Sequence, residues 1–378
     1  MHDMQNLPAR DIPSLDLTLG GGTAARDRNR ERIHKVAHIV SPEDVPMVAP
    51  VIEGLRRSSL GSRYPVVTLT RDELLGCPEP WDAVVVHDPC TVGDIPSLGT
   101  ISRRWHTILV DHRHSDAFEQ HNIRFQRFFE WMLRWSYGLV DTVAAVSEAQ
   151  AAWMRRRDLV AGDRLVVVPP TVSPEPFGAV SDRYHTHSTL SLGVLGHADQ
   201  PQAMEQVVHA LKDRPGLDCK LYLMDVTAGH RHRPWQDLAA ADARIEPMPE
   251  NEDLPAFFER CDAVICPSLW EPEGLECIEA RAAGRPVLVP DVDALPEQAA
   301  DCGLVFHDMQ ELGEALEHLE PVSLTEWSHN ARRGALAAYE TGIDRWTHLL
   351  DDAAKDTSRL HGFECDEMAM ENDALWVA

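Results

Sequence analysis

The chain has 378 residues, 44% of them hydrophobic, enough for two domains of ordinary size with substantial cores. Its formal charge of −26, from 61 acidic against 35 basic residues, excludes phosphate-driven nucleic-acid binding and disfavours overall attachment to anionic membranes. Eight cysteines lie scattered without a CxxC pair, and no apolar run approaches the roughly 18 residues of a membrane span.

Residues 1–33, with "LGGGTAARDRNRER", read as a flexible polar arm, and the basic run "RDRNRERIHK" as a solvated stretch. No signal peptide is visible there, so a cytoplasmic location is expected. Six apolar runs follow: "KVAHIV", "YPVVTLT", "DAVVVHD", "HTILVDH", "TVAAVS" and "RLVVVPP". They are β-branched and continuous rather than alternating, as strands buried on both faces of a parallel sheet must be. Helical spacing fills the gaps, and Ser147 before "EAQ" resembles an N-cap. This series makes an N-terminal domain over 34–172, followed by a proline-bearing linker over 173–189. A second series of six runs, "LSLGVLG", "CKLYLMD", "RIEPM", "DAVICPS", "RPVLVPD" and "GLVFHD", makes a C-terminal domain over 190–341. A last helix is expected over 342–356 and an acidic tail over 357–378. The fold class is α/β, with two doubly wound Rossmann-like domains facing across a cleft and ligands beyond the carboxyl ends of the strands.

The most informative segment is "CPSLWEPEGLECIEARAAGRPVLVPD", where a strand turns at Gly274 into a short helix ending at Gly284. The first amides of that helix lack intrahelical partners and attract phosphate. Glu271 lies about one turn before the helix and Glu279 about one turn inside it. Each carboxylate can accept from paired hydroxyls, at about 1.5–3 kcal/mol per charged hydrogen bond. A ligand with phosphate in its middle and hydroxyls at both ends, a nucleotide sugar, satisfies the whole arrangement. A helix with one dipole-favoured and one solvated glutamate satisfies it too, and spacing alone leaves both readings open.

The E-x7-E pattern from Glu271 to Glu279, within "PSLWEPEGLECIEARAAGRPVLVPDVDALPE", closely resembles family 4 glycosyltransferases of the retaining, GT-B type. "RCDAVICPS", "LVDTVAAVSEAQAAWMRRR" and "GIDRWTHLL" resemble flanking segments of that family, the last its helix crossing back to the first domain. The resemblance implies that Glu271 binds the donor sugar, Glu279 the ribose, and the Gly274–Leu275 turn the diphosphate. It places Met248 and Pro249 near the base and His112 on the sugar from the opposite domain. His114 is the competing histidine, and His112 is preferred because it comes directly off its strand. It further implies a hexosyltransferase-like enzyme of carbohydrate or glycoconjugate biosynthesis. Such an enzyme takes a nucleotide sugar as co-substrate, with no cofactor and no catalytic metal.

The chain also departs from the family. His197 stands where an arginine is expected in the donor site, and Gln200 or Gln202 lies near a lysine position. Those cations stabilise the departing diphosphate, a main electrostatic contribution to transfer. Glu273 adds negative charge at the donor turn, and "HIVSPEDVPMVAP" lacks the family's glycine pair. Arg231 and Arg233 are read as solvated, and His87 as a structural histidine. The HxH pairs at His112/His114, His185/His187 and His230/His232 lack further ligands at metal-site spacing. The leading expectation is retaining transfer of a sugar to an unidentified acceptor, with no nucleic-acid partner. The alternative is a non-catalytic GT-B partner or scaffold protein that has lost its diphosphate cations. A nucleotide-sugar epimerase ranks below both, and a nicotinamide dehydrogenase lowest, because no G-x-G-x-x-G follows a strand.

Overall fold

The computed structural model describes residues 35–42, 44–77, 80–87, 91–182, 189–196, 200–225, 237, 240, 242–249 and 252–355. Among the described residues twelve strands form two six-stranded sheets, each expected run contributing one strand. The first sheet has the order β2-β1-β3-β4-β5-β6, with β1 Val36–Ile39, β2 Val66–Leu69, β3 Ala83–Val86, β4 Thr107–Asp111, β5 Thr142–Ala145 and β6 Leu165–Val167. The second has the order β12-β11-β10-β7-β8-β9. Its strands are β7 Leu190–Gly196, β8 Cys219–Asp225, β9 Ile245–Pro247, β10 Ala263–Ile265, β11 Val287–Pro290 and β12 Gly303–Phe306. Every neighbouring pair is parallel.

Burial follows sheet position. β1, β3 and β4 are buried at every residue, whereas the edge strand β2 leaves Val67 and Thr68 exposed. Several helices start where side-chain oxygens satisfy orphan amides. Ser115 accepts from Phe118, Ser147 from Gln150, Asp253 from Ala256 and Asp308 from Glu311.

The final helix, Pro321–Lys355, is longer than the 342–356 segment and serves both halves. Ala331 and Ala335 pack with Leu275 and Ile278 of the second half. Ile343, Trp346, Leu350 and Ala353 pack with Val36, Val85 and Ile108 of the first. Part of the expected linker is also core: Phe177 and Val180 join Ile278 and Phe258 in one apolar cluster. The helix Val45–Arg57 passes so near residue 171 that a Cβ on Gly54 would stand 1.5 Å from the Thr171 carbonyl oxygen.

Candidate active site

Three adjacent parallel strands carry histidines in a regular stagger. In register, His38 on β1 faces Val85 on β3, and His87 follows Val85 by two residues. Val86 faces Leu109 on β4, which sets His87 level with Val110, and His112 follows Val110 by two. Side chains two residues apart share one sheet face, so all three imidazoles lie on the same side. Their rings stack with centroids 5.2 and 5.1 Å apart, and Trp346 of the final helix lies against His38 and His87.

The three rings make one continuous hydrogen-bonded chain. His38 Nδ1 is 2.9 Å from His87 Nε2, and His87 Nδ1 is 2.9 Å from His112 Nε2. His112 Nδ1 reaches Glu273, 3.0 Å from Oε2 and 3.2 Å from Oε1. With three neutral rings, each Nδ1–H donates toward Glu273, and the Nε2 of His87 and of His112 accepts from the ring behind it. Protonation of His112 turns its Nε2 into a donor and reverses the chain behind it. Burial opposes charging His112, but the Glu273 carboxylate outweighs it and raises the pKa. Burial, with the Arg56 charge, lowers His38 to about 3. His87 is driven well down by burial and by the imidazoles on either side. A positive charge on this chain therefore resides on His112, beside the carboxylate.

Glu273 comes from the opposite half of the molecule, in the loop between β10 and the helix Leu275–Ala282, and is 2% exposed. That loop is held by its own carboxylate: Glu271 Oε1 accepts from the Gly274 amide at 2.9 Å and the Glu273 amide at 3.3 Å. The Gly274 amide, which the sequence assigns to a phosphate, is thus engaged by Glu271. Gly274 has φ +77°, a left-handed conformation natural to glycine, and a Cβ there would stand 2.9 Å from Gln298 Cγ.

Further bonds cross between the halves beside this pair. Asp293, just after β11, accepts from Ser115 Oγ at 2.6 Å, the Ala117 amide at 3.1 Å and the Glu271 amide at 3.0 Å. Glu297 accepts from the Ala149 and Glu148 amides at 2.6 and 3.3 Å, and Ser147 Oγ donates to the Pro272 carbonyl at 2.7 Å. Carboxylates of the second half therefore cap the N-termini of helices Asp116–Asn122 and Glu148–Arg156 in the first, where the helix dipole favours negative charge.

His112 is the histidine that crosses the cleft. His114 turns inward, with Nδ1 on Asp111 at 2.9 Å and its ring against Phe118 and Phe129. Burial pushes the Asp111 carboxyl up, yet His114 and the Tyr137 hydroxyl hold it below the ordinary carboxylate range. Gln150 donates to the carbonyls of Asp111 and His114 and so fixes this loop. Arg113 pairs with Asp44 at 3.0 Å.

The other site residues are distributed around this centre. Glu279, half-buried, lines a cavity of about 430 Å³ with Ala49, Glu53, Val172, Phe177 and Leu254. Met248 and Leu275 pack into the apolar cluster behind that helix. Gln200 accepts from the Leu269 amide and donates to the Trp270 carbonyl, so it holds the loop preceding Glu271. His197, Arg231, Arg233 and the pairs His185/His187 and His230/His232 lie outside the described residues. Among the described residues no three His, Cys, Asp or Glu side chains are grouped to hold a metal ion.

The sequence reading assigned no role to His38, Asp293, Glu297 or Ser115. His38 was accessible through strand register, since "AHI", "VVVHD" and "LVDH" each carry a histidine within one residue of a strand's carboxyl end. Asp293 and Glu297 gave no such signal, because their partners lie 176 to 178 and 148 to 149 residues away.

Both halves of the chain match models of glycosyltransferase domains: "Glycosyl transferase 4-like domain" over residues 18–171 and "Glycosyl transferases group 1" over residues 189–320. The D-inositol 3-phosphate glycosyltransferase of Stackebrandtia nassauensis is 32% identical over 215 residues, covering 50% of this chain and 47% of that protein. The chain thus spans about half the length of this curated relative. In fold, sucrose-phosphate synthase from Thermosynechococcus elongatus superposes with TM-score 0.67 at 16% identity, covering 84% of this chain and 98% of that one. Anabaena HepE, solved in complex with UDP-glucose, gives TM-score 0.64 at 14% identity, covering 84% and 100%. The chain carries a glycosyl transferase 4-like domain followed by a glycosyl transferases group 1 domain, on two Rossmann-like α/β halves.

Proposed function

We propose that the protein transfers a glycosyl group from a nucleoside diphosphate sugar to an acceptor hydroxyl, with retention of configuration. The observation that carries this reading is the meeting of Glu271, Glu273 and His112 where β4 and β10 end, the region in which doubly wound sheets bind ligands. Glu279, one helical turn on, opens into the cavity of about 430 Å³ where a ribose is accommodated in this reading.

In the proposed reaction the bond from the anomeric carbon to the diphosphate oxygen breaks and the acceptor oxygen bonds to that carbon on the same face. The acceptor's proton passes to the departing phosphate oxygen. The protein positions the partners and stabilises developing charge. Glu271 holds the sugar hydroxyls, and its contact with the Gly274 amide presets the carboxylate's direction. Glu273 would repel a diphosphate if it stood alone. A protonated His112 at 3.0 Å makes the pair neutral and removes that repulsion.

The test is a calorimetric and thermal-shift panel of UDP, GDP, ADP, TDP and their sugars, with Glu279→Ala as control. Because HepE was solved with UDP-glucose, the uridine series comes first. Stabilisation by one nucleotide series, lost in the control, is the expected result. Silence across the panel would overturn the donor site.

A further inference from the structure

The helix Gln126–Leu139 is apolar on two faces. Its inner face, Phe129, Met132, Leu133 and Tyr137, fills the core of the first half. Its outer face carries Phe128, Trp131 and Trp135 at 55%, 47% and 54% exposure, with Phe125 at 71% just before the first turn. These rings form a ladder: Phe128 stacks on Trp131 at 5.7 Å, and Trp131 meets Trp135 at 5.9 Å. Apolar surface on both sides of a helix signals burial on both sides, yet no described residue covers this one.

The charge around the ladder runs against the rest of the chain. Across 124–138 there are three arginines, Arg124, Arg127 and Arg134, and one acid, Glu130, within a molecule of net charge −26. Glu130 turns to Arg134 and Arg157, at 3.3 and 3.4 Å, which leaves the rim basic. The Arg124 guanidinium lies 5.8 Å from the Phe125 ring. The helix itself begins beside the cleft: Phe129 on its inner face contacts His114 at 5.1 Å, and Phe118 meets both Phe129 and Trp270 of the other half.

We propose that this face of helix Gln126–Leu139 docks the protein on an anionic lipid surface. The aromatic rings enter the boundary between headgroups and acyl chains, and the guanidinium groups meet lipid phosphates. The charge selects this occupant over a second copy of the chain, since an isologous pair would set the same arginines against each other. Docking here would hold the adjoining cleft close to the bilayer plane. The inference concerns a surface outside the donor site and does not rest on the transfer reading.

The full chain is floated with vesicles of phosphatidylcholine, alone or mixed with phosphatidylglycerol. The expected result is flotation with the mixed vesicles only. That flotation is lost in Trp131→Ser/Trp135→Ser and weakened about fivefold by each of Arg124→Gln and Arg127→Gln. Raising salt from about 0.1 to 1 M, which shrinks the Debye length from about 10 to 3 Å, weakens it as well. All variants keep the wild-type thermal transition, because the altered side chains are exposed. Absence of flotation, equal flotation with neutral vesicles, or flotation unchanged in the variants would overturn the proposal. So would a dimer in light scattering that the Trp variant dissolves, which assigns the face to a second copy.

Discussion

The ion pair between His112 and Glu273 is buried at both ends, with each side chain 2% exposed. Removing one partner of such a pair strands a charge in the interior, at a cost of about 3–5 kcal/mol. His112→Ala should therefore lower the urea midpoint strongly, and Glu273→Gln in the same chain should recover part of the loss. Equal midpoints for His112→Ala and wild type would show that the pair contributes nothing. The imidazoles behind it set a pH dependence. His38 ionises near pH 3 in the fold against 6.5 in an unfolded chain, so below about 6.5 the unfolded state binds a proton that the native state refuses. Stability then falls with pH, by about 2 kcal/mol at pH 5 for this group alone. His87, also lowered, acts with the same sign. His112, raised, acts oppositely: its contribution is complete below about 6.5 and is lost as pH rises through its folded value. Urea unfolding of His38→Phe at about pH 5 and about pH 7 should give a shallower dependence than wild type. Glu271→Ala removes the acceptor for two turn amides and, in the proposed role, the grip on the donor sugar. Turnover should vanish while stability falls by only about 1 kcal/mol, the value of a cap. Undiminished turnover would remove Glu271 from the donor site.

The element that organises the loop before helix Leu275–Ala282 is the turn at Gly274. Its φ of +77° and the nearness of Gln298 act separately against any side chain. Gly274→Ala should cost about 1–2 kcal/mol from the backbone alone. Gln298→Ala should relieve only the steric part, so a double variant matching wild type would refute the backbone argument. This turn was legible in the sequence, because a glycine between an apolar run and a helical pattern has few uses. The strands were legible for a related reason: runs such as "AVVV" and "TILVD" must be buried on both faces, and β3 and β4 are. The partner of Glu273 was not legible. Its negative charge at the turn read as an obstacle to phosphate until β4 brought His112 within 3.0 Å of it.

At the scale of the molecule, the helix Pro321–Lys355 joins the halves. Trp346 is 1% exposed and packs among Val36, Val85 and Ile108, far away in sequence. Trp346→Ala should cost about 3–5 kcal/mol, as large core truncations do, and should disturb the histidine chain its ring supports. The check is the urea midpoint together with the histidine ring resonances, and unmoved resonances would show that the ring does not position the chain. By itself the sequence determined what depends on local pattern: twelve strands in two series, the glycine turn, the spacing of Glu271 and Glu279, and the likeness to glycosyltransferases. Tertiary structure alone decided which side chains meet across the cleft. Those contacts join residues 161 positions apart for His112 and Glu273, and 178 apart for Ser115 and Asp293. Hydrophobic periodicity reports only which face of an element is buried. The partner on the far side is set by how the two halves meet in space, and no period in the chain records that choice.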